Sequence, residues 1–98
     1  VPGLMSFILF KVDNRIFSFD LKPRDLAVYF CLCRHASIEG GTCFPSRRTI
    51  ARECGISGAE TVDRALKVLI EKGLIEKRHQ HSEDGGYRSN VYRILPLR

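Results

Sequence analysis

Residues 44–73, FPSRRTIARECGISGAETVDRALKVLIEKG, decide the fold, because the starts of two helices are written in them. Ser46 is placed to cap the first, its hydroxyl accepting one of the backbone N–H groups that a helix start leaves unpaired. Gly55 follows the apolar positions Ile50, Ala51 and Cys54 and supplies the left-handed conformation that ends a helix cheaply. Ser57, with Glu60 three positions on, has capping-box spacing and is expected to open the second helix. That helix carries Val62, Ala65, Leu66, Leu69 and Ile70 at helical spacing, so one face must be buried.

A short helix, a glycine-containing turn of about three or four residues and a longer amphipathic helix is the order of a helix-turn-helix. Such a unit holds its second helix out where it can enter a DNA major groove. Upstream, residues 6–12 (SFILFKV) are apolar and aromatic-rich and read as a short buried strand. Asp13 and Asn14 make a turn, and residues 15–19 alternate as a second extended piece. Pro23 suits the first turn of a helix and Asp25 its positive end. Leu26, Val28, Tyr29, Phe30, Leu32 and Cys33 give that helix a wide apolar stripe, expected to run to about Ala36.

Downstream of Gly73 the pattern turns extended. Leu74 and Ile75 continue the core, residues 76–82 (EKRHQHS) are polar and strand-length, and residues 83–86 (EDGG) read as a hairpin tip. Residues 87–95 (YRSNVYRIL) return as a strand with Asn90, Tyr92 and Ile94 on one face. The expected fold class is mainly α (α+β). It is a winged helix-turn-helix of three helices with a C-terminal β-hairpin wing and a short N-terminal β segment. Residues 6–98 are expected to form this single domain, after a disordered or vector-derived start at residues 1–5.

Composition agrees. Ninety-eight residues suffice for one modest core, and 44% hydrophobic with 28% charged residues is ordinary globular usage. The net charge of +5 leans toward a polyanionic partner. Its distribution says more: residues 46–81 carry net +3, whereas residues 1–45 and 82–98 carry +1 each. No run reaches the roughly 18 apolar residues of a membrane span.

Cys31 and Cys33 are two apart in a helix and face different directions, while Cys43 and Cys54 are scattered. Buried, reduced thiols acting as small hydrophobes are therefore expected, with no metal and a cytoplasmic location. There is no nucleophile elbow and no phosphate-binding glycine loop, so no catalytic residue and no cofactor is expected.

The run CFPSRRTIARECGIS, then TVDRALKVLIEKGLIEKR and GGYRSNVYRIL, resembles winged helix-turn-helix domains of plasmid, phage and mobile-element replication initiators. The upstream block LFKVDNRIFSFDLKPRDLAVYFCLCRHAS resembles the lead-in of the same family, so the likeness covers nearly the whole chain. The resemblance implies a bacterial, plasmid or phage DNA-binding module, often one part of a longer initiator. A transcriptional regulator of the same fold and a protein-docking winged helix stay open as alternatives.

The expected DNA contacts are Ser46, Arg47 and Arg48 at a helix start, where N–H groups and cations converge on phosphate. On the second helix they are Ser57, Ala59, Thr61, Arg64 and Lys67, with Thr61 and Arg64 foremost. On the wing they are Lys77, Arg78 and Arg88. Gly58 and Ala59 offer little for hydrogen-bonded readout. Glu60 and Asp63 would repel phosphate unless Glu60 serves the capping box or reads a cytosine amino group, so this helix is expected to be a weak base reader. Residues 7–19 hold more apolar side chains than one strand can bury. The surplus is expected to meet the helix from Pro23, a further domain of a longer parent, or a second copy in a homodimer.

Overall fold

Pro23, with its φ fixed and no N–H to satisfy, is the first residue of helix α1 (Pro23–Glu39), which runs one turn past the expected end at Ala36. The computed structural model describes residues 9–39, 41–81 and 87–97. Along them follow strand β1 (Thr42–Cys43), helix α2 (Arg47–Cys54), helix α3 (Ala59–Glu71), and strands β2 (Ile75–His81) and β3 (Tyr87–Ile94). A six-residue 3₁₀ helix, Asn14–Phe19, precedes α1.

α2 is defined at both ends by its own residues. Ser46 Oγ accepts the Thr49 N–H at 3.1 Å, as its capping position requires. At the other end Gly55 takes φ 68°, its N–H reaches the Arg52 carbonyl, and the Ile56 N–H reaches Ala51 at 2.8 Å. α3 ends the same way on Gly73 at φ 73°, with Gly73 N–H on Ile70 and Leu74 N–H on Leu69, both at 3.0 Å. These paired closures turn the chain sharply and aim the next apolar residue inward. Leu74, the second of them, is buried.

The start of α3 differs from expectation. Gly58 is the N-cap and makes no side-chain hydrogen bond, and Ser57 lies one residue too early. The Thr61 N–H closes on the Gly58 carbonyl at 3.2 Å, so the backbone alone turns the corner. Residues 15–19, expected to be extended, form most of the 3₁₀ helix instead. Asp13 caps it, accepting from the Arg15 N–H at 2.9 Å and gripping the Arg15 guanidinium at 2.6 Å. The Arg15 guanidinium and N–H hold the Asp13 carboxyl down to about 2. Local hydrogen bonds outweigh the alternating pattern there, and only Ile16 of the segment is buried. Of the expected strand at 6–12, residues 6–8 lie outside the described residues and residues 9–12 belong to no strand. Residues 1–5 also lie outside them.

The three strands form an antiparallel sheet in the order β1-β3-β2. β3 is central, with Tyr92 paired to Cys43 on one side and Lys77 on the other. A register shift interrupts the β2–β3 ladder between Arg78 and Gln80. The expected tip at residues 83–86 lies outside the described residues. α1 packs on α2, α3, β1 and β3. The core between them holds Val28, Tyr29, Leu32, Ile50, Val62, Leu69, Ile75 and Tyr92.

All four cysteines are free, and Cys31, Cys33 and Cys43 are buried. Burial pushes the thiols of Cys31, Cys33 and Cys54 upward, Cys33 to about 11 from an ordinary 9.0. The folded chain therefore retains protons that the unfolded chain releases first, so these thiols favour folding below the unfolded value and lose that effect as pH rises. Thermal melts should show stability falling between about pH 9 and pH 11, and a flat profile would count against the buried thiols.

Leu66, 4% exposed on α3, supports the same core. Leu66→Ala should destabilise the fold by about 2–5 kcal/mol in chemical denaturation, and a parental curve would mean the inner face of α3 is assigned wrongly.

Candidate nucleic-acid interface

Because Val62, Ala65, Leu66 and Leu69 are buried on α3, the helical period turns Glu60, Asp63, Arg64, Lys67 and Glu71 outward, and all five are exposed. Ala59 is exposed at the first helical position, and Thr61 is half-buried at the edge of the face. Ile70, expected in the buried stripe, is 38% exposed instead. It looks into a groove of about 840 Å³ bounded by the start of α2, one side of α3 and the β2–β3 pair.

Arg47, Lys67 and Lys77 bring positive charge to that groove, with Pro45, Leu66, Ile70 and Tyr92 supplying apolar wall. Three successive elements, α2, α3 and β2, thus present cations to one depression. Arg48 is exposed in the first turn of α2, one residue beyond Arg47. Ser46 spends its hydroxyl on the helix, sharing a 2.9 Å hydrogen bond with Thr49 Oγ1 besides the capping bond. Ser57 is exposed in the turn before α3.

The carboxylates of the same surface claim some of these cations. Arg47 Nη2 donates to Asp63 Oδ2 at 2.7 Å, with about half of each side chain exposed. On β2, Arg78 Nε donates to Glu76 Oε1 at 2.9 Å. Among the described residues, Arg48, Arg64, Lys67 and Lys77 have no carboxylate within ion-pair distance. Arg88 belongs to β3 and pairs with Gln80 across the ladder; its side chain lies outside the described residues, as do those of His79 and His81.

So the structure gathers Arg47, Lys67 and Lys77 in one groove, sets Arg48 and Arg64 on the adjoining surface, and turns Ser46 to a capping role. The Arg47–Asp63 pair, sixteen positions apart, and the groove that joins two helices to a strand have no sequence signal. A second gathering was also missed: Cys31 and His35 of α1 meet Glu53 of α2, with their donor atoms within 4.8 Å of one another.

No curated protein matches the chain. Four solved chains do, among them one described as a possible transcriptional regulator from Methanosarcina mazei Go1. It superposes with a TM-score of 0.58 at 21% identity, over 82% of this chain and 61% of that one. At that identity the likeness is one of fold, a winged helix-turn-helix, and this chain spans less than two thirds of that structure's length. The family model described as a helix-turn-helix domain matches residues 20–75, from just ahead of α1 through α2 and α3 to the first residue of β2. That match takes in more than half of the residues, and the chain belongs to this helix-turn-helix domain family.

Proposed function

We propose that the chain binds duplex DNA, with α3 toward the major groove and with α2 and the wing on the flanking phosphates. The groove that joins Arg47, Lys67 and Lys77 from three separate elements carries this reading, with Arg48 and Arg64 beside it. Cations spread over three elements can follow a sugar–phosphate backbone. Base reading falls chiefly to Arg64 and Lys67, which can donate to guanine O6 and N7, while Glu60, Asp63 and Glu71 on the same face can only accept, as from a cytosine amino group. The chain is thereby a binding module and not a catalyst.

The finer reading is the DNA-binding module of a replication initiator, and it rests on the sequence resemblance. A transcriptional regulator uses the same geometry. Fragments of the source genome selected on the purified chain separate these uses: origin fragments support the first, promoter fragments the second. Leu9 and Phe17, 84% and 67% exposed, support a covering partner for the N-terminal segment. A self-associating species is expected in sedimentation at micromolar concentration, and a clean monomer would return that surface to intrachain packing or to a further domain of a longer parent.

Titration of labelled duplex at several salt concentrations tests the DNA reading. The log–log slope should lie at about −3 to −5, for roughly 3–6 neutralised phosphates. Absence of binding at low salt would leave the protein-docking alternative.

Two substitutions on α3 should move binding in opposite directions with little change in melting temperature. Arg64→Ala should weaken it by about 1–3 kcal/mol on a preferred site. Asp63→Asn removes a carboxylate and frees Arg47, so it should tighten binding and steepen the salt slope by about 1. Equal affinities for both variants and the parent would place the interface elsewhere.

A further inference from the structure

Away from the exposed face of α3, three side chains of metal-ligand type converge between α1 and α2. Cys31 and His35 are four residues apart on α1, so successive turns present them on one side of the helix. Glu53 comes from the last turn of α2. Cys31 Sγ lies 3.6 Å from Glu53 Oε1, and His35 Nε2 lies 3.0 and 3.2 Å from the two carboxylate oxygens.

Those separations can be set against a real coordination sphere. Zinc bonds of about 2.3 Å to sulfur and 2.0–2.2 Å to nitrogen and oxygen, arranged tetrahedrally, hold their ligands about 3.4–3.6 Å apart. The sulfur–oxygen edge already has that length. The nitrogen–oxygen edge is shorter by a few tenths of an ångström, and the sulfur–nitrogen edge lies within 4.8 Å, so small side-chain rotations must close the set around an ion.

We propose that Cys31, His35 and Glu53 bind one divalent transition-metal ion of the zinc class, which links α1 to α2. Thiolate, imidazole and carboxylate together suit such an ion, whereas magnesium and calcium call for an all-oxygen set. On binding, the Cys31 S–H bond gives way to a sulfur–metal bond and its proton passes to solvent. His35 contributes the Nε2 lone pair as a neutral ring, and no redox change is involved. One thiolate and one carboxylate balance the dication, so the partly buried site becomes neutral. Arg34 Nη1, 3.3 Å from Glu53 Oε1, steadies the carboxylate from outside the coordination sphere.

The His35 and Glu53 side chains keep 19% and 28% exposure, which leaves an open side for water as fourth ligand. Cys54 neighbours Cys31 but is not one of the three converging ligands, and its thiol donates to the Ala27 carbonyl at 3.4 Å. The sequence spacing conceals all this because Glu53 is eighteen residues from His35.

Cobalt(II) titration of the chelator-treated, reduced chain tests the site, since a cysteine thiolate on cobalt gives a near-ultraviolet charge-transfer band. The band should saturate at one equivalent, and zinc should bleach it and raise the melting temperature. Cys31→Ser should abolish the band and Cys54→Ala should keep it. Glu53→Gln, a surface change that spares the core, should weaken binding beyond the roughly 10–100-fold that loss of an outer-shell partner costs. The proposal is overturned by an absent band, by a band that follows Cys54 instead of Cys31, or by unchanged affinity in Glu53→Gln. The last arm remains decisive if Cys31→Ser fails to fold.

Discussion

Everything on the outer surface of α3 follows from what its inner surface must bury. Val62, Ala65 and Leu69 are wholly shielded, and α1 packs directly on α3 with Val28 and Leu32 equally shielded. Burying side chains of this size removes apolar area worth about 1.5–3 kcal/mol each from water, far more than any single exposed charge contact contributes. The inner stripe therefore fixes the rotation of α3. Glu60, Arg64, Lys67 and Glu71 face solvent as a consequence, whatever their own preferences. The glycine closures at Gly55 and Gly73 complete the constraint by setting where α3 is entered and left.

The same comparison of magnitudes explains how the surface can be acidic and still suit a polyanion. The Arg47–Asp63 pair is half-exposed, and pairs of that kind contribute about 0–1 kcal/mol. A phosphate that displaces Asp63 from Arg47 thus meets little opposition from the fold. In the free chain the pair simply neutralises one arginine of the groove. Lys67 and Lys77 have no such competitor among the described residues and supply the constant part of the field.

α1 is the element on which two kinds of chemistry depend. It packs on α2, α3 and the sheet through apolar residues. Its contact with α2 is also polar: Glu53 accepts from Arg34 and Cys31 and meets His35, and Cys54 donates to the Ala27 carbonyl. These interactions set the seat of α2, whose opposite end carries Ser46, Arg47 and Arg48.

Local physics was legible in the residues: the Ser46 cap, the Gly55 closure, most of the apolar stripe of α3, and the two wing strands with Asn90, Tyr92 and Ile94 on one face. Each depends on side chains within about one helical turn or on strand alternation, so sequence order alone carries it. Local signals misled where two of them competed. Asp13 and Arg15 folded an alternating segment into a 3₁₀ turn, and the apparent Ser57–Glu60 box gave way to a cap at Gly58. What only tertiary structure decided were the meetings of separate elements: β1 on β3, Arg47 with Asp63, Lys77 and Lys67 on one groove, and Cys31 and His35 with Glu53. Side-chain periodicity says which way a residue points from its own helix or strand. The packing of α1 against its neighbours decides what it finds there.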